Sequence, residues 1–516
     1  MKNKGIMLYF CIILLFSLFS TTLLVVTNAA AQKKSADKLI IAYPSEPDSI
    51  LPTDSSYSVT SNPISNNIFE RIVDLSTDGK FVPGIASWEV MDGGKEFLFT
   101  IRKGVKFHSG DPLTAWDVEF SHNRDWQKSA TYKRYMRLFD HLEVVDDYHI
   151  KFFFKAPDVL FIPQRMLAVE SKSYYDRVGE EEFVKHPVGT GPYKFVAWKP
   201  GEYIEIERNE DYWGEKPPVK GARFVFAKED TTRVAMLKAG EADIIMSTPY
   251  PLVKDLESAG FKTIRLPSHP PCGVQFHTGN PDVPWYDRRV RLAIAYAIDK
   301  DAIVKDMFQG IPMGYPRLAP WELGYDPDLK QYPYDPAKAK KLLAEAGYPK
   351  GFEMPLYYFA GRSYGQKETA EAVSLYLNAI GIKTKVQGIE AAQMLSMIRK
   401  WHADPKAVYV GVVTAPMAFL PDPTEALTSS YMSTGWGSMY FNKAIDPIID
   451  EAQSTMDDKK RGELIKQAIR ILHEDVASIQ IWANTSVYAM KPNIDFTPTL
   501  RNREPLMLIK DVRIGN

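Results

Sequence analysis

The chain of 516 residues contains two cysteines, and only Cys272 lies outside an N-terminal apolar run. A lone thiol closes no intrachain disulfide and builds no multi-cysteine metal site, so Cys272 reads as a packed, inert side chain. The nine histidines are scattered, without HxxH, HxxxH or carboxylate-histidine helical spacing, which leaves no metal site and no cofactor to expect. His277, near Cys272, reads as a strand-end imidazole. No excess of either charge exists: 63 Lys and Arg face 64 Asp and Glu, net −1. The apolar run carries Lys2 and Lys4 and no acid, so the remaining chain stands at −3. That balance gives no basis for nucleic-acid binding. Internal repeats and low-complexity tracts are also missing.

What is present is ordinary globular material, 45% hydrophobic and 12% aromatic, enough for two or three cores. Lys2 and Lys4 precede an uncharged stretch from Ile6 to about Val26 and then Asn28, Ala29, Ala30 and Ala31. This pattern is a secretory signal cleaved near Ala31, with a retained membrane anchor as the alternative. Cys11 sits inside the run, after Phe10, and not behind small residues at its end. A free periplasmic protein is therefore expected, not a lipoprotein.

Beyond a polar bridge, Leu39 to Tyr43 reads as a buried strand stopped by Pro44 and Pro47. Lys95 to Phe107 alternates as one half-buried strand before turns at Gly104 and at Ser109 to Pro112. Thr114 opens a helix with Asp117 in the capping position. His149 to Lys155 forms a further strand, and Gly189 to Trp198 pairs with Tyr203 to Glu207 around Pro200 and Gly201. From Asp287 onward helical periodicity dominates, with Val290, Ala293, Ile294, Ala297 and Ile298 on one face. Asp335 and Pro336 start a helix that stops at Gly347, and Gln366 to Ala379 makes another, followed by a strand through Ile382, Thr384 and Val386. A helix from Asp446 to Glu474, broken near Met456 to Asp458, precedes a strand over Ile479 to Ala489.

Four blocks carry a resemblance: Gly84 to Ser121, Val188 to Pro218, Arg288 to Gly310 with its continuation YDPAKAKKLLAEAGYPKGF, and FNKAIDPIIDEAQ from Phe441 to Gln453. In this order they resemble solute-binding protein family 5, the extracytoplasmic peptide, nickel and opine receptors of ABC importers. The resemblance implies an α/β fold of the periplasmic-binding-protein type II, or Venus-flytrap, kind, with two lobes around a hinge and an inserted extra domain. Domain I takes residues 38–68, 190–275 and 488–516, domain II is the insertion 69–189, and domain III runs over 276–487. Such a monomer captures a small-molecule solute and delivers it to an inner-membrane ABC permease complex. Trp88, Trp116, Tyr193, Tyr212 and Trp213 read as scaffold, and Gly189 to Pro192 as a turn.

Two rival readings are weighed. Gly361 to Gly365 spells GxSxG after MPLYYF and before a helix, the setting of a hydrolase nucleophile elbow at Ser363. Against it, Pro355 interrupts the preceding strand, and His402 or His473 could serve only without a supporting motif. No catalytic residue is expected. A chaperone-like binder of unfolded chains is the other reading. Glu180, Glu181 and Glu182 read as a solvated face before Phe183. By the resemblance, the ligand is lined by Ser56, Tyr57 and Ser58 after the first strand and by Met417 and Phe419 in a domain III loop. Trp436 in an aromatic turn, Trp482 near the end of domain III, and Tyr132 and Tyr135 reaching in from the insertion complete the set. Phe419 stands where the peptide receptors place an Asp that pairs with the ligand's ammonium, and Asp422 is expected to cap the following helix.

Overall fold

The computed structural model describes residues 38–52, 62–76, 80–129, 132–133, 136–164, 168–308, 318, 320, 322–360, 365–404, 406–414, 422–496, 499–501 and 504–515. Ten strands form one mixed sheet: Lys38–Tyr43 (β1), Tyr193–Lys199 (β2), Tyr203–Arg208 (β3), Gly221–Phe226 (β4) and Ile244–Ile245 (β5), then Lys262–Phe276 (β6), Glu353–Ala360 (β7), Lys383–Glu390 (β8), Val410–Thr414 (β9) and Ser478–Met490 (β10). Their spatial order is β8-β7-β9-β6-β10-β5-β1-β4-β3-β2. The two central strands are the longest, with 15 residues in β6 and 13 in β10, and they pair antiparallel from Lys262 opposite Met490 to Gln275 opposite Ser478. Each half of the sheet has its own core. Leu39, Ile41, Phe224, Ile204 and Met507 share one cluster, and Val274, Ile294, Leu356, Val373 and Val412 share another.

The insertion is a separate layer. Strands Ala86–Met91, Glu96–Ile101, His149–Phe154 and Phe139–Asp146 form an antiparallel sheet in that spatial order, backed by the helix Ala115–Lys128. Strict alternation in EFLFTI buries Phe97, Phe99 and Ile101. Phe161 fills the centre, its ring 4.7 Å from that of Phe97 and 4.6 Å from that of Phe154. Burying a ring of this size contributes about 2–3 kcal/mol.

Local rules held at the caps. Thr114 and Asp117 form a capping box, Asp335 accepts the Lys338 N–H at 2.9 Å, and the long C-terminal helix divides into Asp446–Ser454 and Asp458–Glu474. Four expectations need correction. The strand begun at Glu96 ends at Ile101, because Gly104 turns the chain at φ +86. Pro355 sits inside β7: the ladder to β9 covers only Tyr357 and Tyr358, so its missing N–H breaks no pairing on that side. Gly189 and Gly191 have ordinary dihedrals and serve close approach, since a Cβ on either would fall within 2.5 Å of the Ile68 carbonyl oxygen. Trp116 is 45% exposed and donates to Asp147 at 3.2 Å instead of packing in a core. The three glutamates are paired as well as solvated: Arg124 and Lys128 hold Glu180 down at about 2, while Glu181 and Glu182 meet Lys185 and His186 one turn on. Among the described residues no helix is long and apolar enough to cross a membrane.

Candidate functional site

The sheet directions converge on one place. In the first half, β1 runs parallel to β4 and β5, and their carboxyl ends are Tyr43, Phe226 and Ile245. In the second half, β7 runs parallel to β8 and β9, and their carboxyl ends are Ala360, Glu390 and Thr414. Because β5 and β9 are antiparallel to β10 and β6 respectively, these two sets of carboxyl ends point at each other. Among the described residues only β6 and β10 continue through the sheet between them, and the pairing slips there, between Pro267 and Pro271 and again between Cys272 and Gly273. Crevices outside the carboxyl ends of strands are where open α/β sheets bind ligands. The connections 361–364 and 415–421 follow Ala360 and Thr414 in sequence, and 53–61 follows β1 after residues 44–52; all three lie outside the described residues.

The walls are fixed by buried cations. Arg233, 1% exposed, donates to the carbonyls of Ala227 and Lys228 at 2.8 Å, Ser247 at 3.0 Å and Met246 at 3.1 Å, tying the ends of β4 and β5 together. That clamp holds Ser247 at φ +54, a costly conformation for a residue with a side chain. On the other half Arg291 does the same before β10, binding the carbonyls of Asp475, Trp285 and Tyr286 next to Val476 at φ +50. After β1, Glu46 accepts the Trp198 indole N–H at 2.6 Å and the Gly201 N–H at 2.9 Å.

An aromatic chain crosses the gap. Tyr250, on the first-half helix Tyr250–Ser258, packs edge-on to Phe308 at 5.2 Å, and Phe308 packs on Trp482 at 4.8 Å. The Tyr250 hydroxyl donates to the Thr485 carbonyl within β10. Trp482 donates to Thr369 Oγ1 at 2.9 Å, and Thr369 donates to the Gly365 carbonyl at 2.6 Å. Gly365 stands at φ +82, and a Cβ there would meet the Phe308 ring at 2.9 Å. Burial pushes the Cys272 thiol, opposite Trp482, well above its ordinary range.

The profile of the family described as bacterial extracellular solute-binding proteins, family 5 middle, matches residues 80–438, more than half of the chain. The chain belongs to this family. It is 29% identical over 472 residues to the heme-binding protein A of Haemophilus influenzae, covering 84% of both chains. It is also 29% identical over 470 residues to the dipeptide-binding protein of Escherichia coli, covering 84% of this chain and 86% of that one. The periplasmic binding protein DppA of Helicobacter pylori, solved with the peptide STSA, superposes with a TM-score of 0.73 at 24% identity, covering 93% and 98%. This family 5 protein is accordingly a substrate-binding protein of an ABC importer, with the fold of the periplasmic binding proteins.

The expected ligand residues of the family 5 protein fall into three groups. Trp482 is at the crossing, fully buried. Trp436 is half-buried in a turn whose Gly437 N–H bonds the Ser429 carbonyl at 3.0 Å, seating it on the helix Pro423–Ser430. Ser56, Tyr57, Ser58, Tyr135, Met417 and Phe419 lie outside the described residues. Tyr132 requires a correction: it is 2% exposed in the insertion's own core, bonded to His122 Nδ1 at 2.7 Å, so packing accounts for it. Asp422 caps its helix through the Thr424 N–H at 2.8 Å and meets Arg461 at 3.3 Å. Sequence reasoning missed Arg233, whose partners are backbone carbonyls that no side-chain pattern marks, and Tyr250 and Phe308, whose partners are distant in the chain. The hydrolase elbow at Ser363 lies outside the described residues, between β7 and the helix Gln366–Ala379, while His402 bonds the Ser438 carbonyl at 2.8 Å and His473 stacks flat on Tyr332 at 4.6 Å.

Proposed function

We propose that this protein captures a small, weakly charged organic solute in the crevice between the two halves of its sheet and presents it to an inner-membrane permease without chemical change. The observation that carries this reading is the convergence of two sets of strand carboxyl ends on the β6–β10 crossing. On this reading residues 38–68, 190–275 and 488–516 form one lobe, 276–487 the other and 69–189 the insertion, with β6 and β10 as the hinge. Closing two rigid lobes around a solute removes it from water and changes the outer surface together. Serine, tyrosine, methionine and phenylalanine side chains at the expected positions suit a ligand of mixed polarity. The mature chain begins near Gln32 and works as a free periplasmic monomer.

The solute is not recognised through a free amino terminus. Phe419 replaces the expected carboxylate, and Asp422 is already occupied by its helix N-terminus and by Arg461. An ammonium buried without an anionic partner keeps its desolvation cost, several kcal/mol. Native mass spectrometry of the protein purified from its own host identifies the solute. Calorimetry with di- to pentapeptides supplies the test: micromolar binding abolished by N-acetylation would overturn this reading of the pocket. Labelling of Ser363 by a fluorophosphonate would overturn the non-catalytic one.

A further inference from the structure

The insertion and the second lobe touch at a place that the hinge does not explain. Gln453 is the penultimate residue of the helix Asp446–Ser454 and is 6% exposed. Its backbone carbonyl accepts the Val159 N–H at 3.3 Å, and its side-chain carbonyl accepts the Arg137 guanidinium. Its amide group faces Met432 Sδ at 3.9 Å, inside its own lobe. Three residues on, Met456 packs on the backbone of Gly94 in the insertion: a Cβ on Gly94 would lie 2.7 Å from its sulfur. Val159 is presented by a tight turn, in which Asp158 accepts the Leu160 N–H at 3.0 Å and donates its own N–H to Gly94 at 3.1 Å. None of these residues belongs to the ten-stranded sheet.

We propose that Gln453 is a catch that holds the two lobes closed, seized by Val159 and Arg137 of the insertion. This rests on the two-lobed receptor reading given above. A lobe that swings about β6 and β10 breaks both hydrogen bonds at once and strips Gln453 of its burial. The catch therefore sets what fraction of the protein is closed before any solute arrives, and an apparent dissociation constant scales inversely with that fraction. Specificity stays with the crevice; Gln453 tunes affinity for every solute alike.

The test places spin labels at Glu89→Cys on the insertion and Lys459→Cys on the second lobe, both exposed, in the full mature chain. Cys272 is buried and stays unlabelled. Pulsed-EPR distances without added solute give the closed-to-open ratio. Gln453→Ala should lower it about tenfold, the consequence of losing one buried hydrogen-bonded contact. Arg137→Ala, at an exposed position, should lower it in the same direction. Distances in both variants identical to the parent's overturn the proposal, as does a parent with no short-distance population. Failure to find any solute would count against the receptor reading alone, because this measurement contains none.

Discussion

Trp482 has no side left for a ligand to take without displacing protein: its indole N–H is held by Thr369 and its ring lies against Phe308. Replacing it with Ala would remove about 3–5 kcal/mol of stability along with any solute contact. Trp482→Phe and Trp436→Ala are the readable pair. If both side chains line the solute, each variant binds it more weakly by more than about 1 kcal/mol in calorimetry. Thr369→Val probes the other end of the bond. It strands the buried indole N–H and frees the Gly365 carbonyl, for an expected loss of about 1–3 kcal/mol in urea unfolding. Trp482→Phe, which leaves Thr369 bonded to Gly365, should lose less.

The turn Asp158–Leu160 is the element that responds to acid. Burial raises the Asp158 carboxyl from 3.8 to about 6, with Arg137 pulling the other way and Asp450 sharing that guanidinium. The folded protein therefore holds a proton between these values that the unfolded chain does not. Asp158's contribution to stability is full at or below about pH 4 and is lost as pH rises to about 6, a change of up to about 3 kcal/mol. Asp158→Asn should remove that slope from pH-dependent unfolding and exceed the wild type in stability at pH 7.5 while matching it near pH 4. The signals that position such elements differ in how far they reach. Caps at Thr114, Asp335 and Asp422 were legible because donor and acceptor lie within three residues. The overlong strand came from Val105 and Phe107, which are 1% and 2% exposed and continue the alternation, although the chain has already turned at Gly104. Pro355 could be placed in a strand only once the short ladder to β9 was known.

For the whole molecule, the class of fold and the order of its segments were legible from four blocks of sequence, but the construction of the crevice was not. Its clamps join Arg233 to Ser247 and Arg291 to Asp475, and its spine pairs β6 with β10 from the far end of the chain. Composition and periodicity carry no record of such partners. Another long reach bears on how the protein is made. Asn67 donates to the Met507 carbonyl at 3.0 Å and accepts the Ile509 N–H at 2.8 Å, and Leu39 shares a core with Val512. The half of the molecule that contains β1 thus cannot assemble until the last segment of the chain exists, since loop closure over that span must precede every contact it rewards. The insertion draws its sheet from residues 86–154 alone and is under no such constraint. Deleting residues 504–516 should leave the insertion's amides protected in hydrogen exchange and those of β1 and β4 unprotected. A chain so arranged keeps one half unfinished throughout synthesis, the condition in which a polypeptide can still be threaded through a membrane.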